Sequence, residues 1–164
     1  MGLQLPGELT GLLGMLGYSW PEADETKLFQ LGTVWTEFGS TLRGTVQAAD
    51  TAAQRVWTQN KGEDFAAFQE RWTGEESPSD SLGTAAMSCL AAGCGLFLAA
   101  GVVLALKINV IVQLVMLAIQ IAQAIAAAIP TFGASLTLIP LMKIATGLLI
   151  DIVIDQAIGA LLGG

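Results

Sequence analysis

Apolar residues in the first half of the chain recur with the period of a helix; in the second half they run almost unbroken. Leu28, Trp35, Leu42, Ala49 and Val56 stand seven apart, and Leu31, Phe38, Thr45 and Ala52 follow three residues after each of the first four. Glu37, Arg43, Asp50 and Arg55 fall off this seam. The spacing predicts one long amphipathic helix over roughly residues 22–57, with a seam that expects a second helix along its length. Leu28, Leu31, Trp35, Phe38 and Leu42 are its bulkiest stretch and the candidate partner-packing surface. Ser19-Trp20-Pro21-Glu22 has the form of a capping box ahead of it. Thr58 to Gly62 supplies turn chemistry, and Asn60-x-x-Glu63 offers a cap for a further helix over 62–73. There Phe65, Phe68 and Trp72 return at spacings of three and four. An antiparallel hairpin would bury Trp35, Phe38, Phe65 and Phe68. Before all this, Pro6 introduces a short helix over roughly 7–16, expected to pack through Leu12, Leu13, Met15 and Leu16.

The acidic, turn-rich Gly74-Glu-Glu-Ser-Pro78-Ser-Asp-Ser separates that half from residues 82–129, whose single charge is Lys107. As one helix this run would reach roughly 70 Å, against roughly 30 Å for a bilayer core. Split into 85–106 and 108–129, it gives two spans with Lys107 and Asn109 at a tight turn. Left whole in a soluble bundle, it places Lys107 mid-helix, where Asp151 and Asp155 are the only acids of the apolar half to meet it. Asn109, Gln113, Gln120 and Gln123 share one face within about 80°. They are a half-exposed stripe, an inter-helix hydrogen-bonding row or the lining of a wet lumen. Pro130, Gly133 and Pro140 break the chain again, and a last helix over roughly 140–162 aligns Lys143, Gly147, Asp151 and Asp155 at steps of four. The expected organisation is an all-α helical bundle. It comprises an amino-terminal segment with a short helix (1–20), a helical hairpin (21–74), an acidic linker (75–81) and an apolar helical region of the same domain (82–164).

Charge sharpens the division. The 164 residues are 53% hydrophobic and 13% charged, with a mean hydropathy of +0.62. The net charge is −7, and twelve of the fourteen acids with five of the seven bases lie in residues 1–80. An acidic chain does not suit nucleic acid, whose phosphates need a basic surface. With no histidine, the usual general base and the commonest metal ligand are missing. Cys89 and Cys94 are five apart in an apolar run, a spacing that suits small core residues better than a disulfide or a zinc site. No nucleophile set or phosphate-cradling loop appears. The expectation is a protein without catalytic residues, cofactor or metal. The first residues lack a basic region and carry Glu8, unlike a cleaved signal peptide.

A long amphipathic helix, a turn bounded by Trp and Gly, and a second helix bearing Gly-x5-Phe-x3-Trp resemble the WXG superfamily of type VII secretion substrates. The positions here are Trp57, Gly62, Phe68 and Trp72. Four residues separate Trp57 from Gly62 where the family usually has one, and a literal Trp-x-Gly occurs instead at Trp72-Thr73-Gly74. Over residues 1 to about 72, GLQLPGEL and Tyr18-Ser-Trp-Pro-Glu22-x-Asp24-Glu25 resemble the amino-terminal domain of large polymorphic toxins of the outer membrane channel protein CpnT-like kind. The resemblance implies an export and partner-binding domain, with the toxin module absent from this chain. It further implies a small WXG-type hairpin protein and the type VII machinery as partners, and delivery to the exterior or cell surface. The alternative is a membrane-inserting channel built from the apolar helices. Tyr18-x-x-x-Glu22 has the letters of a type VII signal, but it precedes the hairpin and contains Pro21.

Overall fold

The computed structural model describes residues 2–163. Its elements are α1 (Gly7–Met15), α2 (Glu25–Gln59), α3 (Glu63–Thr73), α4 (Pro78–Ala126), a 3₁₀ turn (Ala134–Thr137) and α5 (Leu138–Leu162). Among the described residues there is no strand: the fold is an all-α helical bundle.

The helix starts show which local chemistry prevailed. α2 begins at Glu25 because the Asp24 carboxylate accepts the Lys27 N–H at 3.1 Å, the N-cap contact, so the Ser19–Glu22 box precedes the helix without opening it. At α4 the Ser77 hydroxyl accepts the Asp80 N–H at 3.1 Å and Pro78 takes the first helical position, which needs no N–H. The expected linker over 75–81 thus shrinks to the few residues before Pro78. Asn60 does not cap α3; its amide donates to the Val56 carbonyl at 2.7 Å, closing α2 instead. Gly62 precedes α3 at φ +139°, a conformation open to glycine and costly to other residues.

The chain divides into two compact units. In residues 28–98, α2 packs on the first part of α4 through glycines. A Cβ on Gly32 would stand 2.8 Å from the Phe97 ring and 3.0 Å from the Gly93 carbonyl, and one on Gly39 would stand 2.9 Å from the Ala86 carbonyl. The buried stripe of α2 holds Gly32, Gly39 and Ala53, with Leu28, Leu42, Val46 and Ala49 half-buried beside it. This stripe is the predicted seam rotated by about 50°, so that position e replaces position d. In consequence Leu31 and Phe38, at position d, are exposed, Phe38 to 54%, while Trp35, at the edge of the stripe, is 39% exposed. The expected burial of Trp35 and Phe38 under α3 is therefore corrected. α3 has no fully buried residue and spans too few turns to cover them. The expected burial of its own Phe68 is corrected as well: Phe68 is exposed, while Phe65 is half-buried.

The other unit comprises the residues up to Lys27 and those from Ala99 on. Its core joins Leu9 and Leu13 of α1 to Val110 and Leu114 of α4 and Ile150 of α5, flanked by Tyr18, Trp20 and Ile154. Leu9, not the expected Met15, is the inward residue of α1, since Leu9 and Leu13 lie one turn apart and Met15 is exposed. α4 is continuous through residues 106–109, which removes the tight turn at Lys107. Its buried residues recur by heptads: Ala86, Gly93, Ala100, Lys107 and Leu114 on one row, and Cys89, Val103, Val110, Leu117 and Ala124 on the row three residues later, with Leu96 of that row half-buried. Cys89 is part of this seam, whereas Cys94, expected in the core, is exposed.

Candidate partner interface and buried polar pair

The hairpin residues singled out by pattern come together around one aromatic cluster. The Trp57 and Phe68 ring centroids lie 5.7 Å apart, and those of Phe68 and Trp72 5.8 Å apart, both pairs tilted as ring quadrupoles prefer. Gly62 turns the chain between Trp57 and Phe68. Beside the cluster, Asp50 fastens the hairpin: its carboxylate accepts the Trp72 indole N–H at 2.9 Å and the Ser79 hydroxyl at 2.5 Å. These two bonds, Ser79 first, hold the Asp50 carboxyl below its ordinary range. Asp50 lay off the predicted seam, so the pattern gave no sign of this role. Arg43, Asp50, Trp57, Trp72, Ser79 and Asp80 are among the residues lining an open groove of about 790 Å³. Its walls are polar and aromatic.

Along α2, the outer surface is apolar and uncovered. Leu31, Val34, Trp35 and Phe38 are exposed at the three- and four-residue steps of one helix face, whereas Phe29, on another side of α2, packs on the Phe97 ring at 4.9 Å between centroids. Leu28 and Leu42, predicted with them, lie half-buried at the edge of the α4 contact.

The polar residues of the apolar half are not gathered into one site. Lys107, only 2% exposed, donates to the Glu25 carboxylate at 2.8 Å and to the Ala23 carbonyl at 2.7 Å, and its amine lies 5.8 Å from the Trp20 ring centre. Its acid is thus Glu25, at the start of α2, rather than Asp151 or Asp155. Glu25 also accepts the Leu3 N–H. The Lys107 hydrogen bond, then that N–H, lower its pKa from 4.5 to about 2. Asp151 instead accepts the Tyr18 hydroxyl at 2.5 Å, 3.0 Å from which lies the Gly147 carbonyl. Asp155 is exposed. Asn109 bonds its own helix at Ala105, Gln113 and Gln120 are half-buried, and Gln123 is exposed, which is the half-exposed stripe.

Tyr18 gives this cluster a direct readout. The Asp151 hydrogen bond, then burial and the carboxylate's charge, raise its pKa from 10.0 to about 12. It is the single tyrosine, so absorbance at alkaline pH reports it alone. The phenol should titrate with a midpoint near pH 12. Asp151→Asn should bring the midpoint back toward the ordinary value of about 10; an unchanged midpoint would show that Asp151 does not hold the hydroxyl.

Long helices joined by a Trp/Gly-bounded turn, with an aromatic cluster closing the hairpin, define a WXG-type helical-hairpin protein. The chain matches the family model of the WXG100 like domain over residues 4–148, and it belongs to that family. The match runs through the apolar half as far as α5, so the hairpin and most of the long helices belong to one family domain. No curated protein and no solved structure matches the chain.

Proposed function

We propose that this chain is the export and partner-binding domain of a type VII-secreted polymorphic toxin, acting through its helical hairpin and without chemistry of its own. The observation that carries the reading is the uncovered face of α2. Leu31, Val34, Trp35 and Phe38 form a helical stripe, and in water such a contiguous apolar stripe calls for a partner surface. A small WXG-type hairpin protein supplies a complementary helix pair, giving a four-helix arrangement packed as coiled-coil bundles are. Membership of the WXG100-like family supports export by type VII machinery to the exterior or the cell surface. The membrane-channel alternative loses the hairpin with its turn at Lys107, because α4 runs straight through it, and is left with α4 and α5 as the two helices long and apolar enough to cross a membrane.

Co-expression with WXG-type proteins encoded beside it should yield a stable complex. Trp35→Glu together with Phe38→Glu should weaken that complex at least about a hundredfold, as loss of central aromatic anchors does. Both side chains are exposed, so the isolated chain should keep its thermal transition. Failure of every neighbouring candidate to co-purify, or an undiminished complex in the double variant, would overturn the reading.

A further inference from the structure

Between α4 and α5 the chain makes an uncharged turn that is unlike a soluble loop. No residue from 108 to 142 carries a charge. Ile129 is 88% exposed and Phe132 fully so, while Ile125, Leu136, Leu138 and Leu141 are exposed around them. Phe132 is held at φ +51°, a left-handed conformation uncommon for a bulky residue, so its outward position is imposed by the surrounding turn.

Most polar groups of this turn are bonded to the turn itself, the Ile129 N–H being the exception. Thr131 donates to the Ala127 carbonyl at 2.6 Å, Ser135 to the Ala124 carbonyl at 2.7 Å and Thr137 to the Ala134 carbonyl at 2.7 Å. The backbone N–H groups of Ala127, Ala128, Thr131, Phe132, Gly133, Ala134 and Leu136 all find carbonyls within the same stretch, and the Ser135 N–H reaches the Thr131 hydroxyl. Pro130 has no N–H to satisfy. In water, solvent would serve these groups without any such arrangement; in hydrocarbon each of them must be satisfied internally.

We propose that this turn inserts into one leaflet of a lipid bilayer, with Lys143 marking the headgroup level. The exposed apolar residues surround the tip, from Ile125 through Ile129 and Phe132 to Leu136, Leu138 and Leu141, so no single face is marked for a protein groove. A liquid of acyl chains wets all sides of the tip at once. From Leu117 to the end of α4 the rise is about 14 Å, close to one leaflet of a core about 30 Å thick. Lys143, one to two turns into α5, holds its amine 3.8 Å from the exposed Met15 sulfur, a contact weak enough to be exchanged for a headgroup as the stem extends. Gln123, exposed on the inserted part of α4, opposes deeper entry. The inference goes beyond export and does not depend on it, because lipid contact uses residues apart from the α2 face.

The test is co-flotation of the full chain with phosphatidylcholine vesicles, a zwitterionic surface that does not repel the acidic first half. The wild-type chain should float with the vesicles. Ile129→Ser with Phe132→Ser should weaken partitioning by at least about tenfold, the loss expected when two large apolar side chains are replaced, whereas Gln123→Leu should strengthen it. All three positions are exposed, so unchanged helical circular dichroism and an unchanged Tyr18 titration should accompany these effects. In Phe132→Trp, the emission added over the wild type should be quenched by bromines on the acyl chains. Absence of flotation, equal flotation of the serine variant, or an added emission untouched by brominated lipid would overturn the proposal. So would a tip-to-tip dimer that persists in the presence of vesicles.

Discussion

Replacing Lys107 by methionine lowers the stability of the fold by about 3–5 kcal/mol, the usual cost of leaving one member of a buried ion pair alone. The effect is large because Lys107 is the one basic side chain paired with Glu25 among the described residues. The Glu25 side chain is 9% exposed, and its charge is met by the Lys107 amine, the Leu3 N–H and the positive end of α2, of which it is the first residue. With Lys107 gone, the carboxylate must be protonated or solvated, and either disrupts the packing around Trp20. Glu25→Gln in the same chain should restore much of the loss, since a neutral amide carries no charge to desolvate. Denaturant unfolding of the single and double variants measures both steps. A K107M chain as stable as wild type would mean that the pair contributes nothing.

The same pair sets an acid limit. Glu25 has its pKa lowered in the fold, so its contribution is fully present above about pH 4.5 and is lost as pH falls toward about 2. The loss across that window is about 3 kcal/mol. In K107M most of this slope should disappear, because the largest cause of the lowered pKa has been removed.

What the pattern of the chain foretold was decided by side-chain size. Helix identity and the three breaks were legible because apolar periodicity, Pro and Gly speak locally. Trp57, Gly62, Phe68 and Trp72 stood out as motif positions for the same reason, since they lie on two adjacent helices and the turn between them, whereas the meeting of the three rings came only with the fold. The orientation of α2 was not. Weighing Leu31 and Phe38 above Gly32 and Gly39 puts the seam on the bulky side, yet the contact with α4 is made where backbones come closest. The heptads of α4 were hidden likewise, behind small residues at 86, 93 and 100 and a lysine at 107. Lys107 was sought among the acids of its own half because nothing local links it to Glu25, 82 residues earlier. Its place in an otherwise apolar seam makes it a register device: sliding α4 by one heptad would bury the amine away from Glu25 and leave two charges unpaired.

Gly93→Val should destabilise the chain by about 3 kcal/mol, at the upper end of what overpacking costs. A Cβ at Gly93 would meet Thr36 Cγ2 at 2.5 Å and the Gly32 carbonyl at 2.9 Å. Thr36 could rotate, but its hydroxyl is committed to the Gly32 and Thr33 carbonyls of its own helix. The Gly32 carbonyl is backbone and cannot move without shifting α2. Relief therefore requires the two helices to separate, which uncovers Ala86 and Cys89 and strips contacts along several turns. Gly101→Val, on the same helix but with open space at its Cβ, is the control and should cost much less. Thermal unfolding of the two variants reads the difference. If Gly93→Val and Gly101→Val melt together, the close approach of α2 and α4 is not what holds this unit. The partner-facing stripe would then have to be sought on another side of α2.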